Sequence, residues 1–212
     1  VANRPTFTTI LLVRHGTTAT TGSVLPGRAP GLHLSERGQA QANELAERLQ
    51  QLTRKPTALY VSPLERTRET AAPLAKALRL RAVADRGLLE CDFGTWTGKK
   101  LATLSRRVEW RAVQHAPSTF RFPEGESFSE MQQRMWSTLE RLAKRHRNRT
   151  IVVVSHADPI KAAVTYAQGV PLDLFQRTVI SPCSVSAIAF TNATPIVLSV
   201  NNTASLKDLS PS

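Results

Sequence analysis

The sequence has no apolar run near the ~20 residues that a membrane-spanning helix needs, and only 2 of its 212 residues are cysteine. The first absence argues against a membrane-embedded chain. The second excludes a disulfide framework and leaves Cys91 and Cys183 to pack as small hydrophobes. The N-terminal VANRPTFTT lacks the charged, apolar and small-residue order of a secretory signal, so a cytoplasmic protein is the expectation. Internal repeats, low-complexity tracts and linkers are also missing. Acidic residues are scarce: 16 Asp and Glu stand against 28 Lys and Arg, for a net charge of +12. A field of that sign attracts anions, from nucleic acid to small phosphorylated metabolites. No nucleic-acid-binding motif accompanies it, nor any cluster of interleaved aromatic and basic residues. The densest basic run, Lys144 to Arg149, falls where a helix should end, and cations there suit the helix dipole.

What remains is an ordinary globular composition, 41% hydrophobic and 21% charged, at a length that suits one domain. TTILLV (8–13) reads as a buried strand. SERGQAQANELAERLQQL (35–52) places Ala42, Leu45, Ala46, Leu49 and Leu52 at helical spacing. ALYV (58–61) is a second strand. After it, Ser62 is the expected helix cap, with Pro63 at the first helical position and Glu65 three residues after the cap. That helix should run to Leu78, with a short strand at 82–84. A helix is expected over 98–114, and a capping box at Ser127 and Glu130 opens another, to about His146. IVVVS (151–155) is a strand, and Asp158-Pro159 is expected to cap the next helix. Segments 184–190 and 195–200 close the chain as a hairpin-like pair, with a polar tail from Asn201.

Strands alternating with helices predict an α/β three-layer sandwich, a mostly parallel central sheet with helices on both faces. The expected organisation is a single domain over 1–212, with a helical insertion at about 97–150 covering the functional site. Nothing in the pattern specifies an oligomer.

The ends of parallel strands converge at one edge of such a sheet, where open α/β folds place their chemistry. Four stretches fall there: Arg14-His15-Gly16, Ser62 to Thr67, Leu89 to Gly98, and Val154 to Asp158. Two guanidiniums suit a phosphoryl group. A neutral imidazole can attack phosphorus, a second can support the equatorial oxygens, and a carboxylic acid can protonate the leaving alkoxide. Metal ligation by His15, His156 and Glu90 is the rival. Arginine beside the candidate ligands disfavours it, because cation repels cation, and no close His-x-His or Glu-x-x-His pair is present. The set requires no cofactor. Single residues remain open to plainer readings: Arg66 could be an exposed helix residue like Arg68, and Arg106, Arg107, Arg111 and Arg121 could hold a substrate carboxylate or simply face solvent.

Taken together, RHG after the first strand, SPLERT at the next helix start, Glu90 followed by FGTWTG, and the late VSHA resemble the histidine phosphatase superfamily, branch 1, the phosphoglycerate-mutase-like group. LSERGQAQA (34–42) and PEGES (123–127) extend the likeness over about residues 10 to 170. The resemblance implies His15 as the phosphorylated nucleophile, Arg14, Arg66 and His156 as the phosphate pocket, and Glu90 as proton donor and later base. It makes Gly27 and Arg28 in LPGRAP, together with Thr21 and Ala157, candidates for substrate contact. Departures occur in one loop: Thr17 stands where members often carry Glu or Gln, and Thr21 where they often carry Asn. The implied activity is a metal-independent phosphatase acting on a small phosphomonoester through phosphohistidine. The ECDFGTWTG form resembles phosphatase members more than the mutases. A phosphomutase and a non-catalytic phosphate- or nucleic-acid-binding protein are the alternatives.

Overall fold

A computed structural model describes residues 7–204. It holds a six-stranded sheet of β1 (Thr8–Arg14), β2 (Pro56–Val61), β3 (Ala82–Ala84), β4 (Thr150–Ser155), β5 (Val185–Phe190) and β6 (Ile196–Asn202), in the order β3-β2-β4-β1-β5-β6. β1, β2, β3 and β4 run parallel; β5 pairs antiparallel with β1, and β6 antiparallel with β5. Period-two alternation divides the strands between two cores. Leu11, Val13, Val152 and Val154 face one way, against α1 (Glu36–Gln50) and α2 (Glu65–Leu78). Ile10, Leu12, Ile151 and Val153 face the other, against α5 (Phe128–Arg145) and α6 (Ala157–Ala167). The architecture is therefore the expected three-layer α/β sandwich. Between β3 and α5 lie two short α-helices, α3 (Leu101–Leu104) and α4 (Trp110–His115), and three single-turn 3-10 helices, on a third, aromatic cluster built around Phe93, Trp96, Phe122 and Phe128.

Several local expectations are corrected. No single helix covers 98–114. Gly98 sits at φ +80°, and residues 105–109 are all exposed, so no apolar stripe carries a helix across the gap. Ser62 does not cap α2. That helix begins at Glu65 behind Leu64, with no side-chain cap. Asp158 does not cap α6 either: His156 occupies the cap position in an extended conformation, and Pro159 sits inside the first turn, where its missing N–H does no harm. β6 reaches Asn202, so Asn201 belongs to the sheet; the tail from 205 lies outside the described residues. The Ser127–Glu130 capping box is present in both directions. No helix among the described residues is long and apolar enough to cross a membrane.

Candidate active site

Strand register builds the site. β1 and β4 are paired so that Arg14 is level with Ser155. The next residues in each chain, His15 and His156, therefore leave the same edge side by side, with ring centroids 5.3 Å apart. β2 is level with β4 at Val61 and Val154, which brings Ser62 to the same edge. Its hydroxyl lies 2.8 Å from His156 Nε2. The serine expected as a helix cap is thus committed to a histidine. That is the physical reason α2 starts later and uncapped.

His15 is held in place from below. Its backbone N–H donates to Ser155, and the Gly16 N–H donates to Thr70 Oγ1 on α2 at 3.0 Å. Its Nδ1 lies 2.7 Å from the Gly16 carbonyl. A proton on Nδ1 satisfies that contact and leaves the Nε2 lone pair free. Burial, reinforced by Arg66, lowers the His15 pKa to about 3. The imidazole is neutral at physiological pH. Burial likewise pushes His156 well below its ordinary value, with Arg66 again contributing.

Gly16 is required by a close approach. A Cβ there would stand 2.6 Å from the Gly38 carbonyl oxygen, and a Cβ on Gly38 would stand 2.1 Å from the Thr17 oxygen. RHG (14–16) and SERG (35–38) are two sides of one backbone contact.

Arg66 is 0% exposed, which separates it from its exposed neighbour Arg68. Its Nη2 donates to the Gly27 carbonyl at 2.8 Å, and Gly27 makes that turn at φ +52°. Arg14 Nη1 donates to Ile180 at 2.6 Å. Four buried nitrogens at this edge lack a protein partner: Arg14 Nε, Arg66 Nε, Arg66 Nη1 and His156 Nδ1. Buried polar groups are nearly always satisfied, and the guanidinium nitrogens among these four could be satisfied by an anion.

Glu90 enters from the loop after β3. Its Oε1 accepts from the Cys91 N–H at 2.9 Å. Burial, then the nearby Asp158 carboxylate, raises its pKa to about 7. It holds a proton near neutrality and can return it, as an acid–base group must. The loop is fixed by a network the sequence reading did not identify. Arg134 on α5 donates to the Gly87, Leu89 and Glu90 carbonyls. Glu126 accepts from Arg134, Arg28 and the Asp92 N–H. The signal was present in PEGES, which contains Glu126, but its partners lie on three separate segments.

The remaining candidates divide. Thr21 and Ala157 line the cavity beside Arg14, His15 and Glu90, and Ala157 is the first residue of α6. Thr21 Oγ1 accepts from the Thr18 N–H, while Thr17 is tied to Gln41. Arg28 does not line the cavity. Its Nε, Nη1 and Nη2 engage the Glu90 carbonyl, Asp92 and Glu126, which replaces the expected substrate contact with a hold on the Glu90 loop. Arg106, Arg107, Arg111 and Arg121 are exposed, and Arg121 is paired with Glu130. Of the tryptophans, Trp96 is core, Trp110 lines the cavity, and Trp136 packs elsewhere with Tyr166 and Phe190. Among the described residues, no three His, Cys, Asp or Glu side chains converge as metal ligands.

Paired histidines, paired arginines and a carboxyl at the C-terminal edge of an α/β sandwich define the histidine phosphatase class. The chain belongs to the histidine phosphatase superfamily (branch 1), whose model matches residues 10–203. It is 34% identical over 186 residues to "Phosphoserine phosphatase 1" of Hydrogenobacter thermophilus, covering 85% of this chain and 87% of that one. A relative from Erwinia tasmaniensis, named a probable phosphoglycerate mutase, is 33% identical over 181 residues, covering 84% and 83%. A solved phosphoserine phosphatase from Entamoeba histolytica, in complex with 3-phosphoglyceric acid, superposes with TM-score 0.83 at 25% identity, covering 92% of this chain and 98% of that one.

Proposed function

We propose that this protein is a phosphomonoesterase that works through a phosphohistidine at His15. The carrying observation is the set of four unpartnered buried nitrogens from Arg14, Arg66 and His156 beside a neutral His15. In this reading His15 Nε2 attacks phosphorus. Arg14 and Arg66 hold the non-bridging oxygens through charge-assisted bonds, and the amide at the start of α6 adds to them. In this reading a neutral His156 carries its proton on Nδ1 and donates through it, and the Ser62 hydroxyl, which can donate or accept, donates to Nε2. Glu90 gives its proton to the leaving alkoxide. Its carboxylate then takes a proton from the water that cleaves the N–P bond, which returns both groups to their starting state. The side chains supply all the charge the transition state needs.

Phosphatase is favoured over phosphomutase by the cavity itself. A mutase must seat a second phosphoryl group, and the arginines of the 101–122 segment do not line this cavity. That segment instead contributes Leu101, Trp110, Val113 and Phe122, and we assign it the role of roof. A reducing, cytoplasmic setting suits the two buried, unpaired cysteines. The test is phosphate release from p-nitrophenyl phosphate and a panel of alkyl phosphates, with EDTA present, for wild type and His15→Ala. Turnover that survives the chelator and vanishes in the variant is expected. Turnover retained by His15→Ala would overturn the assignment.

A further inference from the structure

The cavity above His15 has a volume of about 380 Å³, within the range of small-molecule sites. Its composition away from the phosphate end is lopsided. Leu25, Leu101, Trp110, Val113, Phe122 and Phe128 form one wall. Trp110 also stacks on the buried Trp96, at 6.2 Å between centroids and 21° between planes, so it is a braced, flat surface. Facing the cavity from α6 and the segment after it are Asp158, Lys161 and Gln176.

Besides Arg14, Lys161 is the one Lys or Arg among the described residues that lines this space. Its charge is already answered. Nζ lies 3.4 Å from Asp158 Oδ1 and 3.0 Å from Gln176 Oε1, and the side chains of the Lys161–Asp158 pair are each only 17% exposed. A substrate carboxylate brought to Lys161 would meet Asp158 as well. It would lose its hydration for no net Coulombic gain. Gln114 and Gln176 can serve neutral hydroxyl, carbonyl or ring-nitrogen groups equally well.

We propose that the part of the substrate beyond the phosphate is uncharged and carries a flat ring, so that the site selects ring-bearing phosphomonoesters over phosphorylated amino acids and glycerates. The inference rests on the phosphomonoesterase reading for the identity of the site. It departs from the substrate named for the Hydrogenobacter relative, on the strength of the compensated Lys161 and the Trp110 wall.

Non-hydrolysable phosphonates test it on the wild-type protein, independently of turnover. Binding of 3-phenylpropylphosphonate is compared by calorimetry with that of 2-amino-4-phosphonobutyrate, the isostere of O-phosphoserine. Both present the same phosphonate on an alkyl chain. The phenyl compound is expected to bind about tenfold tighter or better. Trp110→Ala should weaken the phenyl compound several-fold while leaving the affinity for inorganic phosphate unchanged. Equal or reversed affinities, or no binding of either phosphonate, would overturn the proposal. So would a Trp110→Ala protein that weakens inorganic phosphate as much as the phenyl compound. If Trp110→Ala does not fold, the wild-type comparison decides alone. A protein that prefers the phenyl phosphonate but hydrolyses no ester would sink the phosphatase reading and leave this one standing. A protein that hydrolyses O-phosphoserine best would do the reverse.

Discussion

Ser62 Oγ lies 2.8 Å from His156 Nε2, and both residues are fully buried. Removing the hydroxyl strands one ring nitrogen in an apolar setting, which costs about 1–3 kcal/mol, and frees the ring to exchange its tautomer. Ser62→Ala is expected to lower kcat by about tenfold or more, a loss of ~1.4 kcal/mol in transition-state stabilisation, with KM changed less. Nitrogen-15 spectra should report the proton on His156 Nδ1 in wild type and a mixture in the variant. An unchanged tautomer with full activity would reject the role.

Glu90 carries a proton until the pH passes about 7. Alkyl phosphates need that proton to leave, so their turnover should fall as pH rises through about 7. Aryl phosphates leave unaided and should show a flatter profile. His15 stays neutral down to about pH 3, so it contributes no acid limb between pH 5 and 9. Glu90→Gln should slow alkyl esters more than aryl esters and erase the limb near pH 7. Equal losses on the two ester types would remove the acid role.

The same residue makes a stability prediction. The Glu90 pKa is raised from 4.5 to about 7 on folding. The folded state therefore holds more protons than the unfolded state between those values, and stability declines as pH rises across them. Glu90→Gln keeps an oxygen for the Cys91 N–H and removes the buried charge. The variant should match wild type near pH 4 and exceed it at pH 8. Thermal melts across this range would show the gap opening. His15 and His156 act with the opposite sign, since protonation favours the unfolded chain as pH falls below about 6.5.

Gly38 lies in α1, where Gly to Ala ordinarily stabilises by about 1 kcal/mol. Here a Cβ would fall 2.1 Å from the Thr17 carbonyl oxygen, which is backbone and cannot swing away. Overpacking of this kind costs about 1–3 kcal/mol and displaces the loop that orients His15. Gly38→Ala should therefore lower both the melting temperature and kcat. A variant more stable than wild type would contradict the contact.

Glu126 joins Arg28, Arg134 and the Asp92 N–H. The group is partly buried, with the Glu126 side chain 15% exposed. Glu126→Ala leaves two guanidiniums without their shared carboxylate. It should destabilise by about 2–3 kcal/mol, toward the lower end of buried ion-pair disruption. Because these residues hold the Glu90 loop, activity on alkyl phosphates should fall further than activity on aryl phosphates. Equal rates on both, relative to wild type, would show that the loop is held without Glu126.

The chain order of motifs was enough to single out His15, Arg14, Arg66, Glu90 and His156 as candidates: four of them sit beside a strongly patterned strand or helix, and Glu90 stood out through the FGTWTG that follows it. What escaped was every residue whose role depends on a partner from elsewhere. Ser62 looked like a cap, since serine before proline and glutamate is a local helix signal, and nothing local shows that His156 will claim its hydroxyl. Arg28 looked like a substrate arginine until Glu126 and the Glu90 carbonyl were placed beside it. Gly38 stood inside the LSERGQAQA motif, but nothing local showed that it meets the Thr17 backbone.

The sequence by itself determined the α/β class, the buried strands of the sheet, the Ser127 cap and the residues at the strand ends. Those follow from periodicity and neighbour chemistry, which act over a few residues. Tertiary structure alone decided that Arg66 is buried while Arg68 is exposed, that Gln176 joins the Lys161–Asp158 pair, and that the arginines of 101–122 stay outside the cavity. Burial and Coulombic compensation depend on what lies within a few ångströms in space, and in this fold those neighbours come from segments far apart in the chain: Ser62 and His156 are separated by 94 residues, Arg14 and Ile180 by 166.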